Sequence, residues 1–294
     1  METAELAVFA KNRIALGIRY SGSAYSGWQS QLSGNTVQDR VEYALGRFLG
    51  ASALTSTSTH SPKPTLRTLC AGRTDTGVHA LQQVVHFDTP VDRLPASWVR
   101  GTNAFLPKDI AVQWALPVSA DFHARSSAIS RRYAYLVLES LVRPSVEAGR
   151  VGWVCRPLDG DAMRQALPYL LGTQDFSSFR AAQCQSHTPV KTLLRAEIFQ
   201  RGEWGGGTAN APRYWRFEFE ANAFLHHMIR NIMGCLLAIG SGSHPPGWMA
   251  EVIAAKSRKA AAPTFSPDGL YFLGPVYGAH HGIPELPASY DWFP

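Results

Sequence analysis

Apolar residues in this chain recur with two alternating periods, and that alternation limits the possible folds more than any other feature. Over 14–20 the residues Ile14, Leu16, Ile18 and Tyr20 share one face, the period of a strand. After a Gly- and Ser-rich turn the period becomes helical. Thr36, with Asp39 three residues on, makes an N-cap pattern. Val37, Val41, Ala44, Leu45, Phe48 and Leu49 then follow on one face. Segment 51–65 is dense in Ser, Thr and Pro and reads as an exposed loop. Short strands over 66–71 and 83–87 are expected to flank a turn-rich stretch at 72–80. A helix over 95–104 and a strand over 110–116 close this half.

The second half repeats the style without repeating the sequence. A strand is expected over 133–138, then a helix over 159–171 capped by Asp159, with Met163, Ala166, Leu167 and Leu170 inward. Segments 190–199 and 214–221 read as a hairpin joined through the Gly-rich 204–210. In its second strand Trp215, Phe217, Phe219 and Ala221 face one way and Arg216, Glu218 and Glu220 the other, as in a half-buried antiparallel strand. A helix over 223–240, capped by Asn222, carries Leu225, Met228, Ile229, Ile232, Leu236 and Ile239 inward. Its opposite stripe holds His226, His227, Arg230 and Gly234. Two βαβ-like halves with antiparallel hairpins predict an α+β fold, not a doubly wound parallel sheet.

With 294 residues, 45% of them hydrophobic and 17% charged, the chain can bury a substantial core. No apolar run approaches the length of a membrane span. The start of the chain has no long apolar core followed by a small-residue cleavage site, so the expected location is cytoplasmic. Cys70, Cys155, Cys184 and Cys235 are scattered, with no CxxC pair, which fits reduced thiols and not a zinc ribbon. The net charge is +6, and 22 of the 28 basic residues are Arg. A polyanionic partner suits that balance, although GC-rich codon use also produces an Arg bias.

The chemistry concentrates at 70–80, CAGRTDTGVHA. TDTG fits a surface turn in which Asp bonds its own backbone. A loop that offers Arg73 and Asp75 together, with His79 close by, is richer than a turn requires. For metals, His86-x-Asp88 and the pair His226–His227 are the best candidates. Neither has the spacing or the third ligand of a zinc or two-metal site, so structural roles, or roles facing a polyanionic partner, are expected.

This loop resembles the active-site loop of the TruA family of tRNA pseudouridine synthases, whose pattern is AGRTDxGVHA. The resemblance extends, in order, through 20–29 (YSGSAYSGWQ, with Ser21 where Asp is usual), 82–87 (QQVVHF), 103–110 (NAFLPKDI), 122–125 (FHAR), 132–135 (RYAY), 175–180 (DFSSFR), 222–234 (NAFLHHMIRNIMG) and 269–271 (GLY). It implies a pseudouridine synthase fold of two similar halves, each a mixed or antiparallel sheet flanked by helices, with the active-site cleft between them. The halves would span 10–118, carrying the Asp loop, and 119–278, followed by a tail at 279–294. Together they would form one catalytic unit.

By the same resemblance Asp75 is the nucleophile, Tyr133 stacks on the target uracil, and Arg230 ion-pairs with Asp75. Arg73 helps extrude the base, Arg93 lies on the RNA path, and Leu270 rests against the base. Phe122, His123, Ala124, Arg125 and Ser126 match one tRNA-contacting segment. Cys184, Gln185, Ser186, His187 and Thr188 match another, with His187 where Arg is common. The implied substrate is uridine 38, 39 or 40 of the tRNA anticodon arm, the implied assembly a homodimer, and no cofactor is expected.

These residue types suit the reaction. A stacked uracil must be flipped out at a cost of roughly a few kcal/mol, and aromatic stacking of about 1–3 kcal/mol per base offsets much of it. Burial would raise the pKa of a carboxylate, and an adjacent guanidinium opposes that rise. Removing Arg230 from a truly buried pair would cost roughly 3–5 kcal/mol. An inactive RNA-binding protein on the same scaffold is the alternative, and Asp75, Arg73, Tyr133 and Arg230 together argue against it. Missing carboxylate clusters and missing HxE…CxxC spacing argue against a nuclease or deaminase.

Overall fold

The computed structural model describes residues 12–50, 66–203 and 212–285. The expected loop at 51–65, the connection at 204–210 and the end of the tail lie outside the described residues. Among the described residues ten strands form one mixed sheet: β1 (Asn12–Tyr20), β2 (Leu69–Cys70), β3 (His79–Thr89), β4 (Ile110–Val118), β5 (Ala128–Glu139), β6 (Gly152–Val154), β7 (Gly172–Asp175), β8 (Val190–Glu203), β9 (Arg213–Ala221) and β10 (Leu270–Tyr277). The main path runs β4-β1-β3-β10-β5-β9-β8-β7, with β2 on β3 and β6 on β5. The helices are α1 (Val37–Leu49), α2 (Pro95–Asn103), α3 (Gly160–Ala166), α4 (Met228–Gly240) and α5 (Trp248–Ala255).

The two halves do not carry separate sheets. β10, from the end of the chain, lies between them, parallel to β3 (Tyr271 opposite His79) and antiparallel to β5 (Phe272 opposite Tyr133). This closes the sheet across the halves and sets the loop before β3 beside the centre of β5.

Local signals set most elements. Thr36 caps α1, its hydroxyl accepting from the Asp39 amide, and Asp159 caps α3 by accepting from the amides of Asp161 and Ala162. On β9 the Trp215, Phe217 and Phe219 rings are buried. Arg216 and Glu218 pair with each other, and Arg195 pairs with Glu218 at 2.7 Å. The helix expected over 159–171 is shorter: α3 ends at Ala166 and a 3-10 turn, Leu167–Leu170, follows because Pro168 supplies no amide donor.

β3 is longer than the strand expected over 83–87, and its polar residues explain both the error and the architecture. His79, Gln82, Gln83 and His86 are all buried, and three of them fasten a loop. Gln83 Nε2 donates to the Gly72 carbonyl at 2.5 Å. His86 Nδ1 accepts from the Ala124 amide at 3.1 Å. His79 accepts from the Gly22 amide at 3.2 Å through Nδ1 and meets the Asp268 carbonyl at 3.0 Å through Nε2.

Candidate active site

The site is assembled on the loop between β2 and β3. The Asp75 carbonyl accepts from the Val78 amide at 3.1 Å, closing a tight turn that Gly77 completes at φ +80°. Segment 20–29 braces this turn from outside. The Trp28 amide donates to the Thr74 carbonyl at 3.0 Å, and the buried Tyr20 hydroxyl meets Thr74 Oγ1 at 2.7 Å. Gly27, at φ +88°, lets the two backbones approach, since a Cβ there would lie 2.7 Å from the Thr74 oxygen. Asp75 is thus aimed by backbone geometry and is not merely a turn former.

The opposite wall comes from the segment leading into α4. The expected helix start at Ala223 with an Asn222 cap is not what forms. α4 begins at Met228, and His227 precedes it at φ +61°. The Asn222 side chain accepts instead from the amides of Thr192 and Ala223, at 3.1 and 2.8 Å. Two consecutive residues usually diverge, but the left-handed backbone at His227 turns both imidazoles to one carboxylate. His226 Nε2 is 3.3 Å from Asp75 Oδ1 and His227 Nε2 is 3.6 Å from Oδ2. The contact with Asp75 raises the pKa of His226, whereas burial lowers that of His227.

Arg230 Nη1 lies 3.8 Å from Asp75 Oδ2, with the two side chains 14% and 22% exposed. The ion pair implied by the resemblance is therefore long and partly solvated, not the truly buried pair whose loss would cost most. Its position is set elsewhere: Arg230 Nε donates to the Phe265 carbonyl at 2.9 Å, and the Phe265 amide donates back to the Arg230 carbonyl at 3.1 Å. Gly234 makes this clamp possible, because a Cβ there would collide with the Pro263 carbonyl oxygen.

Tyr133 forms the floor. It is buried on β5 between Phe272, 4.9 Å away between ring centroids, and Phe224 at 5.1 Å. Burial, reinforced by the negative charge of Asp75, holds its phenol protonated well above the ordinary range. Leu270 opens β10 and is also buried.

Arg73 is exposed at the rim. Burial pushes the Cys70 thiol up to about 11, and the Arg73 and Arg125 guanidiniums oppose that rise, which puts both near Cys70. Arg93 is placed apart: its guanidinium lies 4.5 Å over the Phe48 ring of α1.

The two expected RNA-contacting segments divide by burial. Phe122 and Ala124 are fully buried, so their side chains shape the turn and cannot present a surface to RNA. His123 Nδ1 accepts from the amides of Arg125 and Ser126 at 3.1 and 3.2 Å, leaving those two as the exposed residues. In the other segment Gln185, His187 and Thr188 are exposed, while Arg180 Nη2 donates to the carbonyls of Cys184 and Ser186 at 2.6 and 2.9 Å. Cys184 Sγ accepts from the His226 amide at 3.4 Å and so ties this loop to the pocket.

Arg131 has no role readable from sequence. Arg131 donates to the carbonyls of Ala71, Arg125 and Asn222, joining the Asp loop, the 122–126 turn and the approach to α4. The histidine pair was set aside as a metal candidate for want of a third ligand. Asp75 is that group: its carboxylate and the two imidazoles offer ligand atoms all within 4.8 Å of one another. The signal was the polar stripe on which both histidines precede Arg230.

A family model described as tRNA pseudouridine synthase matches residues 17–125 and 166–278, the first stretch holding Asp75 and the second Arg230 and Leu270. The chain belongs to the tRNA pseudouridine synthase family. The tRNA pseudouridine synthase A of Polaromonas naphthalenivorans (strain CJ2) is 71% identical over 282 residues, spanning 96% of this chain and 100% of the relative. The protein of the same name from Polaromonas sp. (strain JS666 / ATCC BAA-500) is 68% identical over 282 residues, again 96% and 100%. That of Paracidovorax citrulli (strain AAC00-1) is 62% identical over 290 residues with the same coverage. Membership makes the chain an isomerase with a pseudouridine synthase fold. Among the described residues no helix is long and apolar enough to cross a membrane.

Proposed function

We propose that the chain converts uridine to pseudouridine in the anticodon arm of tRNA, at positions 38, 39 and 40, with Asp75 as the nucleophile. The observation that carries this reading is that Asp75, from one half of the chain, stands 3.8 Å from Arg230 of the other and close enough for its charge to act on the Tyr133 phenol. The target uridine is flipped out of its stack, its ring lying against Tyr133 and Leu270 while Arg73 fills the space it leaves. Asp75 then traps the nucleotide while the N1–C1′ bond breaks. The freed uracil turns, a C5–C1′ bond forms, C5 loses its proton and N1 gains one, so the composition of the RNA is unchanged.

Arg230, its Nη1 3.8 Å from the carboxylate, places a positive charge beside Asp75 that counts for more once a bound base excludes water. Arg125 and Ser126, with Gln185, His187 and Thr188, supply the RNA-facing rim, and Arg93 extends it along the tRNA. The stretches 10–118 and 119–278 act as one catalytic unit without a cofactor, in the cytoplasm, as a homodimer.

The test is incubation of the purified protein with unmodified tRNA transcript, followed by pseudouridine labelling and primer extension. Stops at positions 38–40 support the reading. Product confined to another arm contradicts the anticodon assignment, and no product on any tRNA contradicts the activity.

A further inference from the structure

We propose that Asp75, His226 and His227 form a binding site for a borderline transition cation such as Zn²⁺, and that its occupancy switches the active site off. The argument begins with geometry. A tetrahedral zinc with nitrogen and oxygen ligands at about 2.0–2.1 Å holds neighbouring ligand atoms roughly 3.3–3.4 Å apart. Asp75 Oδ1 and His226 Nε2 are 3.3 Å apart, Asp75 Oδ2 and His227 Nε2 are 3.6 Å apart, and one ligand atom from each residue falls within a 4.8 Å set. Each imidazole therefore stands near coordination spacing from one oxygen of the carboxylate, and the three groups converge within 4.8 Å.

The donor set points to the class of ion. Two imidazoles and one carboxylate suit zinc, iron, cobalt or nickel and suit magnesium or calcium poorly. Three protein ligands leave a position for water, as in open zinc sites and unlike closed structural ones. The backbone supplies the second part of the argument. His227 holds φ +61°, and with it both rings face one carboxylate, their centroids 4.0 Å apart. Arg230 opposes the ion, since its Nη1 is 3.8 Å from Asp75 Oδ2. That guanidinium is held by the Phe265 carbonyl, so the contact an incoming ion must replace at the carboxylate is the one from His226 at 3.3 Å.

The consequence for activity rests on the function proposed above. A metal-bound carboxylate is not free to act as a nucleophile, and the ion occupies the approach to it. Zinc should therefore inhibit competitively with tRNA, and a chelator should restore the rate.

Binding is read first without RNA. Co²⁺ is titrated into the untagged protein and followed by its visible ligand-field absorption, with Zn²⁺ displacing it. The wild type should saturate near one equivalent. His227→Asn, which tolerates the left-handed backbone, and separately His226→Gln, should each weaken binding by more than the roughly tenfold that loss of an outer-shell partner costs. Thermal melts verify that each variant is folded. Activity is then followed with and without Zn²⁺ and chelator. Saturable binding lost in both variants, with reversible inhibition of the wild type alone, supports the site. Equal binding by wild type and variants, or none at one equivalent, overturns it. Binding by a protein that makes no pseudouridine even with chelator would support the metal site and refute the function instead.

Discussion

The Arg230 guanidinium stands 3.8 Å from the Asp75 carboxylate because its Nε is committed to the Phe265 carbonyl at 2.9 Å. A long, partly solvated pair contributes about 0–1 kcal/mol to stability, far less than a dry one. Its value lies in the reaction, when a bound base excludes water. Arg230→Lys should thus leave the melting temperature nearly unchanged and lower kcat/KM about 100-fold, read by thermal denaturation and single-turnover assays on the same preparation.

Gly234→Ala tests the clamp from the other side. The added methyl meets the Pro263 carbonyl oxygen, so α4 and the segment carrying Phe265 must part. A loss of about 1–3 kcal/mol in urea denaturation is expected. Activity should fall as well, because Phe265 then no longer places Arg230.

Tyr133 is predicted to act through its ring and not its hydroxyl. Its phenol is held protonated by burial and by Asp75, so it contributes no ionisation to the rate in the working pH range. Tyr133→Phe should keep stacking and lose little. Tyr133→Leu should lose on the order of 1–3 kcal/mol of base stacking. Comparison of the two variants in kcat/KM across pH reads both statements.

Stability should depend on pH through His86. Burial, with help from the neighbouring His123 and Arg13 and against Asp88, lowers its pKa from 6.5 to about 4. Protonation of Nδ1 would also break the bond from the Ala124 amide. Between these two values the unfolded chain binds a proton that the folded chain does not, so stability is full above 6.5 and declines as pH falls toward 4. His86→Asn should be less stable than wild type at neutral pH and lose less on acidification, as measured by urea midpoints at about pH 7.5 and about pH 5.

Particular residues mark how far the sequence could be read. β1, α1 and β9 were legible because Ile14–Ile18, the Thr36 cap and Trp215–Ala221 act through local periodicity and local hydrogen bonds. The extent of β3 was not, since His79 and Gln82 look like surface residues until the loops they meet are known. β10 went unread as a strand: Gly274 and Pro275 interrupt it, and its partners lie far away in sequence. Asp75, Tyr133 and Arg230 were found by motif, but His226 and His227 were not placed against Asp75. Their arrangement depends on one left-handed residue, which no periodicity announces.

The central claim is that the Asp75 carboxylate itself reacts with the nucleotide. Asp75→Asn keeps the size of the side chain and the backbone bonds of its turn while removing the charged oxygen. Pseudouridine mapping on an unmodified tRNA transcript, run beside a tRNA-binding assay, tests the claim most directly. Loss of product at the anticodon arm with tRNA binding retained is the predicted result. Product formed by Asp75→Asn at the wild-type rate would contradict the account.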